Sequence, residues 1–354
     1  MRVIALLAAG GITLAAAACG EAPDTGTPGA TPTGKKYVAC MVTDQGGLDD
    51  KSFNASAWKG MEAAKAQNPN IDIKNTASSQ PADYEPNLTA FVNQKCDFIL
   101  AVGGLMAEAT AKIASANPNQ QFAIVDAKLD NQNVYPMQFN TAEAGFLAGY
   151  LAAGYSKTGK VGTYGGLKIP PVTIFMDGFA DGVAHYNKIK SKNVQVLGWN
   201  KATQQGLFAN DFASPPKGKQ QSDTLKAQGA DVIMPVAGGT GTGTTADAAA
   251  GMFSAIWVDV DGCESIPQDC KGLLTTVVKN IPDAVRDAVL KGANKESLAP
   301  SNGFIGTLKN NGVSIAPYHD FDSKIDAALK AEIEKLKQDI IAGTVKVESP
   351  ASPK

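Results

Sequence analysis

Short apolar runs rich in Val, Ile and Leu alternate along the chain with segments in which apolar residues recur at helical spacing. The runs are YVACMV, DFILAV, FAIVDA, KVGTYG, VQVLGW, DVIMPV, AIWVDV and LLTTVV. Runs of this length are typical of strands, and their alternation with helices predicts parallel sheets covered by helices. The last helix, KIDAALKAEIEKLKQDIIAGT, has apolar residues at positions 325, 329, 333, 336 and 340, which is helical spacing. The pattern therefore predicts an α/β fold.

The same order of elements occurs twice, which indicates an internal repeat. CDFILAVGGLMAEATAKIA is echoed by ADVIMPVAGGTGTGTTADAA, FAIVDA by AIWVDV and, more faintly, MVTDQGG by VGTYGG. The offset grows from 122 between Phe53 and Phe175 to 134 at Asp97, so we expect about twelve additional residues in the second copy, within KATQQGLFANDFASPP. A loop there lies at the carboxyl edge of a parallel sheet, where open α/β sheets bind ligands. We therefore predict two doubly wound parallel-sheet lobes with a hinged cleft.

The first 19 residues consist of a basic residue, Arg2, within an otherwise apolar stretch that ends at Cys19. This composition is typical of an export signal, and the stretch is shorter than the roughly 20 residues that a membrane-spanning helix needs. The sequence AAAC resembles a bacterial lipobox, although Ala16 stands where Leu is more usual. We predict a signal peptide at residues 1–18 and, because Gly, Pro and Thr dominate after it, a lipid-anchored flexible linker at residues 19–36.

The remaining chain is long enough for two cores and has little net charge. Net charge is -2 and the isoelectric point is about 5.8, which argues against nucleic acid or an anionic membrane surface as partner. We predict an N-terminal lobe of residues 37–141 and 273–308 and a C-terminal lobe of residues 142–272 and 309–350. We expect a monomer without a cofactor.

Four cysteines follow Cys19, and an even number in an exported protein suggests disulfides. Four cysteines allow three pairings, of which we favour Cys263 with Cys270, across the loop DGCESIPQDC, and Cys40 with Cys96. Free buried thiols are the alternative. A zinc site is disfavoured because no CxxC pair occurs and the chain has only two histidines.

The stretch VTDQGGLDDKSFNASAWKG is the first candidate site. Asp44 follows the first predicted strand, and the Gly pair after it allows a tight turn and close approach to a ligand. Asp49 or Ser52 then caps a helix that begins near Phe53. Alternatively, the acids are only capping groups and the aromatic residues only core, but Phe53 and Asn54 fall in the first helical turn at the cleft edge, which favours a role in binding.

A carboxylate cluster for a metal ion is a competing interpretation of this stretch. Calcium-dependent nucleoside hydrolases open similarly, with a strand and the motif D-x-D-P-G-x-D-D, whose carboxylates hold the ion. Here Val42 stands where that motif needs its first Asp, Gln45 replaces the Pro, and one residue is inserted. The mismatch at a ligand position disfavours a metal site.

Two Gly pairs and two aspartates end matching strands of the repeat. Backbone N–H groups at the glycines can donate hydrogen bonds to oxygens or ring nitrogens of a ligand. A carboxylate there can accept two hydroxyl hydrogen bonds from a sugar diol. Loop geometry and helix capping are the alternatives. Neither Gly pair fits a dinucleotide fingerprint, GGTGTG lacks a phosphate-loop lysine, and no G-x-S-x-G occurs. The residues are Gly103 with Gly104, Gly238 with Gly239, and Asp126 and Asp259.

The stretch VTDQGGLDDKSFNASAWKGMEAA resembles the opening signature of the basic membrane protein family. These lipoproteins are substrate-binding components of ABC transporters and include purine nucleoside receptors. Further similarity runs through DFILAVGG, FAIVDA, KGKQQSDTLKAQGADVIMPVAGGTG, WVDVDGC and TTVVKNI, which is nearly all of the chain after the linker. The resemblance implies a fold similar to type I periplasmic binding proteins, with two lobes joined by three crossings. It also implies a nucleoside ligand, an ABC permease partner and attachment to the extracytoplasmic face of a bacterial cell membrane.

The resemblance further implies roles for individual residues. Asp44 and Asn54 would bind the base edge, and Phe53 would stack on one base face. Asp259 and Lys279 would hold the ribose hydroxyls. The remaining candidates are Asp126, which matches the acid ending the family's A-I-x-D strand, Gly238 and Gly239, which would line the site, and Phe208 or Phe212 as second stacking aromatic.

The sequence thus predicts a binding protein rather than an enzyme. Acids and amides complement the donors of a base and a diol, and aromatic residues supply apolar faces, so no metal is needed. Trp257 stands where relatives usually have Gly, which bears on the size of the pocket. Two alternatives are a calcium-dependent nucleoside hydrolase and a binding protein for another small polar solute such as a sugar.

Overall fold

The computed structural model describes residues 35–353, and its first strand begins at Tyr37. The predicted signal peptide, Cys19 and most of the predicted linker lie in residues 1–34, outside the described residues. In the described part, no helix is both long enough and apolar enough to cross a bilayer.

Two six-stranded sheets form the framework. The strands of the first sheet are β1 (Tyr37–Thr43), β2 (Ile71–Thr76), β3 (Phe98–Val102), β4 (Gln121–Val125), β5 (Val134–Phe139) and β13 (Phe304–Gly306). Those of the second are β6 (Lys160–Gly165), β7 (Gln195–Leu197), β10 (Val232–Val236), β11 (Ser254–Asp259), β12 (Leu273–Lys279) and β14 (Val313–Ile315). A small hairpin consists of β8 (Trp199–Asn200) and β9 (Gln205–Gly206).

The two sheets have the same strand order, β13-β5-β4-β3-β1-β2 in the first and β14-β12-β11-β10-β6-β7 in the second. All neighbouring strands of these sheets are parallel except β12 and β14, which are antiparallel. Two parallel α/β lobes of corresponding order confirm the predicted fold class and the internal repeat.

Helices cover both faces of the sheets. In the first lobe α1 (Phe53–Gln67) packs against α9 (Ile281–Ala293), and in the second α4 (Thr141–Tyr155) packs against α5 (Pro170–Lys190). The α4–α5 contact is so close that a β-carbon on Gly149 would lie 2.0 Å from the carbonyl oxygen of Phe179. The helices are α1 (Phe53–Gln67), α2 (Tyr84–Asn93), α3 (Ala107–Ala116), α4 (Thr141–Tyr155), α5 (Pro170–Lys190), α6 (Pro215–Ala227), α7 (Thr242–Ala249), α8 (Gly262–Ser265), α9 (Ile281–Ala293) and α10 (Ala327–Ile341).

Successive residues of the central strands enter different cores. In β1, Ala39 and Met41 belong to the core under α1 and α9, whereas Cys40 and Val42 belong to the core under α2 and α3. A strand buried on both faces appears in the sequence as a continuous apolar run, which is why β1 was recognisable.

The additional residues of the second copy lie in the connection between β7 and α6. Residues 198–214 form that connection, whereas residues 77–83 connect β2 to α2 in the first copy. The longer connection contains the β8–β9 hairpin and both candidate aromatic residues, Phe208 and Phe212.

The predicted lobe boundary at residue 273 is wrong. Strand β12 pairs in parallel with β11 in the second sheet, so the chain crosses to the first lobe only after Lys279, before α9 packs on α1. The cause is β5, whose Pro136 and short apolar run hid it from the sequence pattern. Without β5, its counterpart β12 was not recognised as the fifth strand of the second copy.

Two disulfides stabilise the lobes. Cys40 of β1 is joined to Cys96, just before the neighbouring strand β3, with a Cα separation of 6.1 Å. Cys263 is joined to Cys270 across the loop that follows β11, with a Cα separation of 4.6 Å. These are the two pairs favoured from the sequence.

Candidate binding cleft

A cleft lies between the lobes, where the carboxyl ends of both sheets meet. The atom-free space between its walls, with the open solvent at its mouth included, is about 540 Å³. Eight of the ten ligand-binding candidates line this cleft. They are Asp44, Phe53, Asn54, Asp126, Phe212, Gly238, Asp259 and Lys279.

Asp44 and Asn54 form one polar corner of the cleft. The Asn54 amide nitrogen donates to Asp44 Oδ1 at 3.1 Å, while Asn54 Oδ1 is buried without a hydrogen-bond partner in the described residues. Gly103 lets the carboxyl group approach, because a β-carbon there would lie 2.1 Å from Asp44 Oδ2. Burial raises the pKa of Asp44 well above its ordinary value. The corner therefore offers the ligand an amide oxygen that has no partner in the described residues, next to a buried carboxyl group.

Asp50, rather than the predicted Asp49 or Ser52, caps helix α1. Its Oδ2 accepts from the backbone N–H of Asn54 at 2.7 Å. Its Oδ1 accepts from the backbone N–H groups of Ser52 and Ala55 at 3.0 and 3.1 Å. A short 3-10 turn over residues 47–50 folds Asp50 back over the helix start, whereas the side chain of Asp49 is fully exposed. This cap fixes the first turn of α1, which carries Phe53 and Asn54 into the cleft.

Asp126 and Asp259 occupy equivalent positions at the ends of β4 and β11. Both have positive φ angles, 67° and 71°, which residues other than Gly adopt uncommonly. Such strain persists only where the surroundings impose it, and it concentrates at functional sites. The repeat thus presents two matching aspartates to the cleft, one from each lobe.

Asp259 is also bonded to the opposite lobe. Ser52 Oγ donates to Asp259 Oδ2 at 2.5 Å, and the Ser52 side chain is fully buried. Burial raises the pKa of Asp259 to about 6, although the nearby Lys279 ammonium and the Ser52 hydrogen bond act in the opposite direction. The sequence did not suggest this role for Ser52, because its partner lies 207 residues away.

Lys279 bridges the two lobes at the back of the cleft. Its ammonium lies 2.6 Å from Asp126 Oδ2, and its side chain is only 2% exposed. It also lies 4.9, 5.5 and 5.4 Å from the ring centroids of Phe53, Phe139 and Phe175. Desolvated ammonium groups are stabilised by carboxylates and by aromatic faces, so the charge is well accommodated without a ligand.

The cleft contains more acid than base. Among the described lining residues, Lys279 is the only cation, whereas four carboxyl groups lie in the same lining, those of Asp44, Asp50, Asp126 and Asp259. Burial raises the pKa of all four carboxyl groups, which means that water solvates their charges poorly. This arrangement disfavours an anion and favours a neutral ligand that donates hydrogen bonds.

Three aromatic rings supply apolar surface: Phe53, Phe175 and Phe212. Of the two loop candidates, Phe212 lines the cleft, whereas Phe208 packs edge-on against Trp199, with 6.0 Å between the ring centroids. Phe175 was not proposed as a site residue, although the repeat aligned it with Phe53. That alignment was the signal that could have found it.

The second Gly pair and Trp257 are placed differently from expectation. Gly238 lines the cleft, but Gly239 does not. A β-carbon on Gly239 would instead lie 3.2 Å from the carbonyl oxygen of Phe212. Trp257 is fully buried in the other core of the second lobe, because adjacent strand residues face opposite sides and Val258 takes the cleft side. The large side chain of Trp257 therefore does not reduce the cleft.

One group of potential metal ligands occurs within residues 35–353, and it lies outside the cleft lining. It consists of Asp261, Cys263 and His319. Cys263 is in a disulfide and so provides no thiolate, and His319 Nε2 lies 2.7 Å from Asp261 Oδ2 as a simple polar pair. These residues do not fit a metal centre.

A model of the family described as "ABC transporter substrate-binding protein PnrA-like" matches residues 37–350. A relative from Listeria innocua, named CD4+ T-cell-stimulating antigen, is 32% identical, with 97% of this chain and 96% of the relative covered. A relative from Lactococcus lactis, named ABC transporter nucleoside-binding protein BmpA, is 30% identical, with 98% and 99% covered.

Among solved structures, an ABC transporter solute-binding protein from Aeropyrum pernix superposes with a TM-score of 0.79 at 24% identity. The superposition covers 89% of this chain and 94% of that one. At this identity the likeness shows the fold, and it agrees with the two-lobed architecture described above.

Proposed function

Since the chain belongs to the PnrA-like family of ABC transporter substrate-binding proteins, we propose that its cleft binds nucleosides for delivery to the transporter's permease. Proteins of this family are binding components rather than enzymes, so the hydrolase alternative falls away. They act outside the cytoplasm and require a permease as partner. The name of the Lactococcus lactis relative, a nucleoside-binding protein, supports the choice of ligand.

The observation that carries this proposal is the combination of aromatic faces with hydrogen-bonding groups. Phe53 and Phe212 offer rings for a planar base, and aromatic stacking contributes about 1 to 3 kcal/mol per base. Asp44 and Asn54 can satisfy the polar edge of that base. Asp259 and Lys279 offer an acceptor and a donor to ribose hydroxyls. A nucleoside presents one apolar plane and one diol, and this cleft complements both.

Ligand identification is the direct test. We expect protein purified under mild conditions to release a nucleoside that mass spectrometry identifies, and calorimetry to show saturable binding of at least one ribonucleoside. The matched controls are the corresponding 5′-monophosphate, which the acidic cleft should bind more weakly, and free ribose, which lacks a base to stack. Tighter binding of ribose or another sugar, with no nucleoside binding, would overturn the proposal.

We also propose that the mature protein begins at Cys19 and is anchored to the membrane through lipid on this residue. The AAAC sequence and the Gly- and Pro-rich segment after it support the proposal. Cys19→Ser should abolish lipid attachment, so that the protein is released or the precursor stays uncut. Identical membrane fractionation and identical mass of wild type and Cys19→Ser would contradict it.

A further inference from the structure

A short hydrogen bond joins Ser52, the residue just before α1, to the end of β11 across the cleft. Ser52 Oγ lies 2.5 Å from Asp259 Oδ2 and 3.3 Å from the Val258 carbonyl oxygen. Ser52 belongs to the first lobe and Asp259 to the second. The bond therefore exists only while the lobes are close together.

The backbone of Ser52 is held on both sides. Its amide donates to Asp50 Oδ1 at 3.0 Å, and its carbonyl oxygen accepts from the amide and the hydroxyl of Ser56 at 3.0 and 2.6 Å. The hydroxyl itself makes no capping bond within α1. Its short bond to the second lobe is thus not a by-product of helix capping.

We propose that Ser52 is a positioning residue, whose hydroxyl latches the two lobes in the closed state and holds Asp259 so that Oδ1 remains for the ligand. Asp259 Oδ1 makes no hydrogen bond to the described residues, and Asp259 lines the cleft. The ligand would bind Oδ1 of Asp259, while Ser52 of the opposite lobe binds Oδ2. The nature of the ligand rests on the proposed function, whereas the latch itself does not.

The latch and the ligand reinforce each other, because both stabilise ionised Asp259. Charged and titratable groups that act on this carboxyl group come from three elements: Lys279 on β12, Asp126 after β4 and Asp50 before α1. The ammonium lowers its pKa, whereas the two carboxyl groups raise it. Removal of the Ser52 hydroxyl removes a hydrogen bond that favours the charged form, so the pKa of Asp259 should rise.

The test compares Ser52→Ala with Ser52→Thr and with Ser222→Ala. Thr retains the hydroxyl, and Ser222 is an equally buried serine whose hydroxyl bonds only within its own helix, α6. For the best-bound ribonucleoside, we expect Ser52→Ala to dissociate roughly 10- to 100-fold faster, the range for loss of a hydrogen bond to a charged group. As the pH is lowered, we also expect Ser52→Ala to lose affinity for the ligand at a higher pH than wild type does. Ser52→Thr should recover most of both properties, and Ser222→Ala should match wild type.

Lobe closure provides a second readout that does not need a known ligand. Spin labels on Lys65→Cys in α1 and Lys226→Cys in α6, in a Cys19→Ser background, report the distance between the lobes. Both native residues are exposed. With or without a nucleoside, Ser52→Ala should populate the longer distance more than wild type does.

The outcomes separate the two proposals. If wild type binds no nucleoside, the proposed ligand is wrong, and a loss of closure in unliganded Ser52→Ala would still support the latch. If Ser52→Ala equals Ser222→Ala in dissociation rate, pH profile and closed fraction, Ser52 does not position Asp259 and the inference is overturned.

Discussion

Three aspartates of the cleft each accept a hydrogen bond from a different kind of side chain, and that partner affects what the carboxyl group can do. Asp44 accepts from the Asn54 amide, Asp126 from a lysine ammonium, and Asp259 from the Ser52 hydroxyl. Burial raises the pKa of all three carboxyl groups, and the Lys279 ammonium opposes this rise most directly at Asp126, to which it donates a hydrogen bond. Substitutions at these positions should therefore have distinct effects on binding.

At the residue scale, Asp259→Ala should abolish the preference for ribonucleosides over their 2′-deoxy analogues. The deoxy ligand leaves a buried carboxyl oxygen without its donor, and that penalty disappears with the carboxyl group. Calorimetry with matched ribo and deoxy pairs measures the preference. Phe53→Ala is the contrasting control, because loss of stacking should weaken all nucleosides similarly, by about 1 to 3 kcal/mol. A full ribose preference in Asp259→Ala would contradict the assignment.

The pH dependence of binding follows from the same residue. The pKa of Asp259 is raised to about 6 in the unliganded protein. Hydroxyl donors of the ligand favour the ionised form, so bound Asp259 should have a lower pKa and affinity should fall as the pH drops below about 6. Titrations between pH 5 and 8 test this, and Asp259→Ala should lose that part of the dependence. For folding the sign is opposite: a raised carboxyl pKa stabilises the native state most at low pH, and that contribution declines as pH rises through about 6.

At the scale of elements, the turns after the strands position the site. Gly103 follows β3 with a φ of +112°, and it is the residue over which the Asp44 carboxyl group lies. Few residues other than Gly adopt this conformation, and no side chain fits beneath the carboxyl group. The turn therefore fixes both the direction in which the chain leaves β3 towards α3 and the position of the Asp44 carboxyl group.

Gly103→Ala should lower both stability and affinity. Its β-carbon would lie 2.1 Å from Asp44 Oδ2, so Asp44 must move. Gly251→Ala is the matched control, because its φ is +82° but nothing lies within 4 Å of the added carbon. Denaturant unfolding should show a loss in both variants, whereas calorimetry should show weaker ligand binding only in Gly103→Ala. Unaltered binding in Gly103→Ala would show that Asp44 is not needed at its present position.

The two disulfides should contribute unequally to stability. Cys40 and Cys96 are 56 residues apart in sequence, and Cys263 and Cys270 only 7. Because a longer closed loop constrains the unfolded chain more, the entropic contribution is about 4 kcal/mol for the first and about 2 kcal/mol for the second. Urea unfolding of the Cys40→Ala/Cys96→Ala and Cys263→Ala/Cys270→Ala proteins should reproduce this order. The reverse order would indicate that native-state packing, not chain entropy, dominates.

At the scale of the whole molecule, the buried pair of Lys279 and Asp126 connects the two sheets. Lys279 ends β12 and Asp126 follows β4, so the pair spans the lobes as the Ser52 bond does. A buried charge without its partner is strongly destabilising, whereas replacement of both partners is often tolerated. The pair should therefore contribute to the position of the lobes more than to folding itself.

Lys279→Met should lower the free energy of unfolding by about 3 to 5 kcal/mol, because it leaves the Asp126 carboxyl group buried and unpaired. Asp126→Leu/Lys279→Met should recover most of this stability but not ligand binding, since the donor to the ligand is still missing. Urea unfolding and calorimetry on the same two proteins provide the comparison. Recovery of binding in the double variant would show that Lys279 acts only as a structural counter-ion.

The sequence by itself determined the α/β class, the repeat and most of the cleft. Buried parallel strands are continuous apolar runs, and residues that follow them meet at one edge of a sheet, so Asp44, Asp126 and Asp259 could be placed together from local patterns. The family resemblance added Lys279 to this group. The strands that the sequence pattern did not reveal include β2, which lies at the sheet edge and is largely polar, and β5, which contains Pro136.

Only the tertiary structure decided which side chains meet across the cleft. Phe212 rather than Phe208 lines it, because the path of a long loop depends on what it packs against and not on its own composition. The hydrogen bond from Ser52 to Asp259 joins residues of different lobes that are 207 positions apart in the sequence. A local sequence pattern cannot predict a contact between residues so far apart. Local chemistry specifies strands, turns and caps, whereas the pairing of distant groups follows from how the two sheets pack against each other.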